Sequence, residues 1–199
     1  MTRRGRRDVG VVRAVVLASA LVGLAAGTAS AHPHVFIDYA VTLVVASDRV
    51  AGVRLTWTFD DLFSGFILQE FDKDRNGTLS AAEVQRIEAT HLAEFHKVGY
   101  YTTVSVNGKP VTSPAAREFR ATTAKGIVTY EFTLPLGVPL ASTTAMEVLV
   151  DDPVYYIAYT PVAVTPQAQT FGTHTAECRV ARDGTGATAD TVRCGIRRR

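Results

Sequence analysis

Val35-Phe36-Ile37-Asp38-Tyr39-Ala40-Val41-Thr42-Leu43-Val44-Val45 is followed, after Ser47-Asp48-Arg49, by Val53-Arg54-Leu55-Thr56-Trp57-Thr58-Phe59. In both stretches apolar side chains recur at every second position, the period of a half-buried strand. Val35, Ile37, Tyr39, Val41, Leu43 and Val45 share one face, and Val53, Leu55, Trp57 and Phe59 share another. Two such runs around a polar turn predict a β-hairpin. Residues 102–106 and 109–111 predict a second hairpin, because Asn107-Gly108 between them suits a type I′ turn. Further strands are expected at 118–123, 127–134, 146–149 and 154–159, separated by Gly126, Pro135, Gly137, Pro139 and Pro153. Short strands at this spacing predict an α+β chain, mainly an antiparallel β-sandwich or open barrel.

The period changes between the two hairpins. Asp60 or Asp61 can cap a helix with Leu62, Phe63, Phe66, Ile67 and Phe71 as its apolar stripe, and Val84, Ile87, Phe95 and Val98 mark a second helix. Between them, Asp72-Lys73-Asp74-Arg75-Asn76-Gly77-Thr78-Leu79-Ser80-Ala81-Ala82-Glu83 fills every slot of the twelve-residue calcium loop. Asp72, Asp74 and Asn76 are the expected side-chain ligands, Thr78 offers its carbonyl, Ser80 acts directly or through water, and Glu83 closes the shell with both oxygens. Gly77 takes the sharp turn, and Ser80 with Glu83 forms a capping box that opens the second helix. Residues 61–97 thus read as an EF-hand-like insertion holding Ca²⁺. Sensor loops work in pairs, and no second loop accompanies this one, so a structural clip is expected.

The N-terminus addresses the chain. Arg3, Arg4, Arg6 and Arg7 precede an uncharged stretch, 14–31, that ends in Ala29-Ser30-Ala31. That is the plan of a signal peptide cleaved after residue 31. It implies a periplasmic or otherwise exported protein with no stable membrane insertion after cleavage, its mature chain starting at His32. Losing five arginines and one aspartate turns the formal charge of +2 into −2, and residues 32–175 alone carry −5. Such a body does not suit nucleic acid and favours cations. Residues 32–165 are long enough for one β-rich domain with a real core. Residues 166–199, rich in Thr, Gly, Ala and Arg, read as a flexible tail. Cys178 and Cys194 lie in that tail and can form one disulfide in an oxidising compartment.

His32-Pro33-His34 is a candidate transition-metal site. Residues i and i+2 of an extended chain point the same way, ~6.6 Å apart, and Asp38 lies on the same strand face. A free His32 amine with its imidazole suits copper, for which His91, His96 or His174 would supply a further ligand. His91 falls within the apolar stripe of the second helix and reads as a hydrogen-bonded core residue, whereas His174 reads as a surface one. Asp151-Asp152-Pro153 with Tyr155-Tyr156 reads as a turn between strands, with ligand or partner binding as the functional alternative. Metalloprotease, serine-hydrolase, phosphate-loop and dinucleotide motifs are all absent from the sequence. The body has no cysteine, and the chain reads as a binding protein, not an enzyme.

Taken together, His32-Pro33-His34-Val35-Phe36-Ile37-Asp38, Trp57-Thr58-Phe59-Asp60, the loop from Phe71 to Glu83, Tyr100-Tyr101 and Asp152-Pro153-Val154-Tyr155-Tyr156 resemble domain of unknown function family 1007. The resemblance covers roughly residues 31–160. It implies a bacterial periplasmic protein associated with a membrane permease of the nickel, cobalt or zinc type, with His32 and His34 as the positions that match. On that reading the chain is an accessory component of Zn²⁺, Ni²⁺ or Co²⁺ transport carrying a structural calcium loop. The alternatives are a calcium-stabilised interaction module without a transition metal, and a copper carrier or oxidative enzyme using the N-terminal histidine.

Overall fold

The computed structural model describes residues 33–46, 48–165, 168–182 and 190–199; the expected signal peptide and His32 lie outside them. Strands β1 (Val35–Ala46) and β2 (Arg49–Phe59) form the expected hairpin, Ile37 pairing with Phe59 and Leu43 with Val53. Val35, Ile37, Tyr39, Val41 and Leu43 are buried with Val53, Leu55, Trp57 and Phe59, while Phe36 and Asp38 face out. The remaining strands are β3 (Thr102–Val106), β4 (Lys109–Val111), β5 (Arg117–Ala124), β6 (Ile127–Pro139), β7 (Thr143–Val150), β8 (Ile157–Thr165), β9 (Ala168–Phe171), β10 (His174–Ala181) and β11 (Thr191–Arg198). They make two sheets, ordered β5-β6-β2-β1-β8 and β4-β3-β7-β11-β10-β9. The inner faces of both supply one core, so the architecture is a sandwich. Pairing is antiparallel except between β1 and β8, which run parallel.

Trp57 occupies the centre. Its ring meets Phe132 at 4.9 Å, Tyr159 at 5.3 Å and Phe95 at 5.4 Å between centroids. Asn107 and Gly108, both at positive φ, turn the β3–β4 hairpin as a type I′ turn demands. Gly52 answers a different need. It sits where the β2–β6 register shifts, and a Cβ there would stand 2.7 Å from the Leu134 carbonyl oxygen.

For the described residues 168–182 and 190–199 the flexible-tail expectation is corrected: β10 and β11 are neighbours within the second sheet. Ala176, Cys178, Val192, Cys194 and Ile196 alternate inward and are buried. Cys178 and Cys194 are direct cross-strand partners joined by a disulfide. Their small side chains carry the two-residue period that the surrounding Thr, Gly and Arg obscure.

Helices α1 (Asp61–Phe71), α2 (Ala81–Ile87) and α3 (Ala93–Lys97) come between β2 and β3, with a π-helical turn at Glu88–Leu92 linking α2 to α3. Asp60 caps α1 by accepting from Phe63 N–H at 2.7 Å, and its other oxygen accepts from Phe36 N–H at 2.7 Å. One carboxylate thus ties the helix start to β1. The Ser64 hydroxyl accepts from Val128 N–H at 3.0 Å, pinning α1 to β6. The five-residue stripe foreseen for α1 divides: Phe63, Ile67 and Phe71 pack on the core, whereas Leu62 and Phe66 are exposed. Val98 is likewise exposed. Phe63, Ile67 and Phe71, at i, i+4 and i+8, share the helix face that is turned to the core.

Candidate functional site

Asp72 directly follows α1, and Glu83 lies in the first turn of α2. Burial of Phe71 and Ile87 anchors both helices to the core, and that anchoring brings the loop ends together. Carboxylate oxygens of Asp72, Asp74 and Glu83 lie within 4.8 Å of one another. The Asp72 oxygens accept from Asn76 N–H at 3.2 Å and Gly77 N–H at 2.8 Å. Asp74 accepts from the Asn76 N–H and amide, and the Asn76 carbonyl oxygen accepts from Thr78 N–H at 2.8 Å. Gly77, at φ 80°, allows that fold-back without a Cβ penalty. Asp72 and Glu83 are buried, and Asp74 is exposed.

Glu83 closes the loop. One oxygen accepts from Lys73 N–H at 2.7 Å, and the other from the Ser80 N–H and hydroxyl, each at 2.8 Å. The Ser80 and Lys73 N–H donors hold the Glu83 carboxyl below its ordinary range, so it stays ionised. The donor set is all hard oxygen, which suits Ca²⁺ and not a softer transition metal. The structure brings Asp72, Asp74, Asn76, Thr78, Ser80 and Glu83 into one loop, where an ion would hold the three carboxylates together against their mutual repulsion.

His34 and Asp38 lie exposed on the outer face of β1, as strand alternation requires. The His34 ring lies 5.0 Å from that of Tyr156, and the His34 backbone N–H donates to the Tyr156 carbonyl at 2.8 Å. Among the described residues, no third ligand joins these two in a metal-sized group. His32, the remaining member of that expectation, lies outside the described residues.

The other histidines are settled by packing. His91, in the π-helical turn, meets the Tyr130 hydroxyl at 2.9 Å through Nδ1 and packs edge-on against Phe71. Burial pushes its pKa below the ordinary value, with Glu70 pulling weakly the other way, and burial keeps the Tyr130 hydroxyl protonated. A neutral His91 and a protonated Tyr130 hydroxyl thus share one hydrogen bond, whose direction follows the imidazole tautomer. His174 is buried, not the surface residue expected, with Nε2 at 3.2 Å from the Ala141 carbonyl. Two of the three histidines that a copper site would draw on are thus committed to the fold, and His96 is exposed beside Tyr100.

The expected strand at 154–159 starts later, because Asp152 organises a turn. Buried itself, it accepts from Val154, Tyr156 and Ile157 N–H at 3.0–3.1 Å. Asp151 remains exposed, and its N–H donates to the Tyr101 carbonyl. Gly99, Tyr100 and Tyr101 run through three successive left-handed conformations, φ 63°, 57° and 49°, which cost the two tyrosines of the order of 1–3 kcal/mol each.

A family model described as protein of unknown function (DUF1007) matches residues 17–190. The chain belongs to that family. An uncharacterised protein of Haemophilus influenzae is 25% identical over 133 residues, covering 65% of this chain. The chain spans 63% of that relative's length. Among solved structures, AChBP from Bulinus truncatus aligns over 91% of this chain and 98% of its own, at 11% identity and a TM-score of 0.30; nothing about this chain rests on so loose a likeness. Among the described residues no helix is long and apolar enough to cross a membrane.

Proposed function

We propose that this DUF1007 member is an exported, calcium-stabilised binding protein that serves a membrane metal permease as an accessory and catalyses no reaction itself. The observation that carries the calcium reading is the convergence of Asp72, Asp74 and Glu83 within 4.8 Å in a loop anchored by two helices. Exported calcium sites work at about 10⁻⁴–10⁻³ M, so the loop acts as a standing clip on the fold. The signal-peptide pattern and the Cys178–Cys194 disulfide support the exported setting. A transition-metal role rests on a separate observation: His34 and Asp38 stand exposed on one strand face beside the proposed mature terminus.

Isothermal titration of the protein with calcium, zinc and nickel separates the two sites. Asp72→Asn lowers calcium affinity at least about tenfold, as loss of a charged ligand from an oxygen shell requires, while His34→Ala leaves it unchanged. Unaltered calcium heat in Asp72→Asn removes the loop from the account. Equal zinc and nickel affinity in wild type and His34→Ala removes the strand site.

A further inference from the structure

Where the helical insertion rejoins the sheets, residues 98–103 face the turn at 149–154 across a hollow of about 500 Å³. That volume lies within the range of ligand-sized sites. Its lining includes Val98, Tyr101, Leu149, Asp151, Asp152 and Val154, and it contains two carboxylates and no basic side chain. Asp152 is held by three backbone N–H groups, whereas Asp151 is exposed at the wall. The negative field reaches inward: besides burial and Tyr101, both aspartates push the Tyr159 hydroxyl further up. Of the lining residues, Val98 and Val154 are 52% and 74% exposed.

We propose that this hollow is a docking site for a partner protein that inserts an arginine or lysine side chain, its apolar neighbours covering Val98 and Val154. Charge complementarity selects a cation, since two aspartates line an apolar-walled cavity without a compensating base. Tyr101 also lines the hollow, and aromatic side chains attract a guanidinium or ammonium. The exposed apolar rim selects a protein as the carrier, because a free small cation leaves Val98 and Val154 in water. Nothing in this site shares a residue with the calcium loop, so the two stand or fall separately.

The test is titration of the full chain, in constant calcium, with three probes: a short peptide bearing arginine between leucines, the same peptide with glutamine for arginine, and agmatine. The arginine peptide binds, the glutamine peptide binds at least about tenfold more weakly, and agmatine is weaker than the arginine peptide, as expected when charge and apolar cover both contribute. Asp151→Asn lowers affinity for the arginine peptide about tenfold with an unchanged thermal midpoint. Val154→Ser weakens the peptide and leaves agmatine unaffected. Absence of peptide binding, equal affinity for the two peptides, or equal affinity in wild type and Asp151→Asn overturns the proposal. Agmatine binding as tightly as the arginine peptide assigns the hollow to a free cation and overturns the partner.

Discussion

His91 shows how one side chain ties the loop-bearing helices to the sheet. Its ring bridges Phe71, the residue before the first loop ligand, and Tyr130 in the core strand β6. Since burial lowers its pKa below the ordinary 6.5, the unfolded chain binds the proton more readily than the folded one. Stability therefore rises with pH through this residue, and it is lost as pH falls below the unfolded value. Urea denaturation between pH 7 and pH 5 is expected to show a steeper loss for wild type than for His91→Gln; parallel curves would mean that His91 titrates alike in both states. Gly52 supplies a second prediction at this scale. With the Leu134 carbonyl 2.7 Å from any added Cβ, Gly52→Ala forces backbone to move and destabilises by about 1–3 kcal/mol, read as a lowered urea midpoint. Neither residue's role was fully legible in the sequence. The stripe of α2 and α3 placed His91 inside, but its partner Tyr130 is 39 residues away, and spacing along a chain does not report such contacts.

At the scale of elements, the clearest readings were those with a strict period. The alternation in β1 and β2 and the Asn-Gly turn were legible because one residue in two meets the same core. The C-terminal strands were not, because their inward set is built from Ala and Cys as well as Val and Ile, and arginines hold the outward phase. Amphipathicity also misled in α1, where Leu62 and Phe66 extend the apolar surface beyond what the sandwich covers. The acidic cluster of Asp72, Asp74 and Glu83 was legible because its carboxylates come from one short segment. The hollow beside Asp151 was not, since it depends on two segments about 50 residues apart meeting across the β3–β7 pairing. Placing β10 and β11 in the sheet makes the disulfide structural. Its cysteines are 16 residues apart, and closing such a loop stabilises by about 3 kcal/mol in the chain-entropy model. Cys178→Ala/Cys194→Ala is expected to lose roughly that amount in chemical denaturation; an unchanged midpoint would mean that the disulfide adds nothing to the stability of the β10–β11 pair.

At the scale of the whole molecule, the described residues form a β-sandwich with a helical insertion between β2 and β3. The insertion is held to the sandwich by Ile67, Phe71, Ile87 and Leu92 on its inner side and by the loop that joins its two arms. An ion in that loop is linked to global folding, because only the folded chain gathers Asp72, Asp74 and Glu83. Calcium at 10 to 100 times its dissociation constant then adds about 1.4–2.7 kcal/mol. In a domain of this size that raises the melting temperature by roughly 3–10 °C. The most direct measurement is thermal unfolding of wild type and Glu83→Gln, each with calcium and with a chelator. A calcium-dependent rise of that size in wild type, at least halved in Glu83→Gln, is the predicted result; identical melting temperatures with calcium and chelator in wild type, or an equal rise in both proteins, would contradict the account.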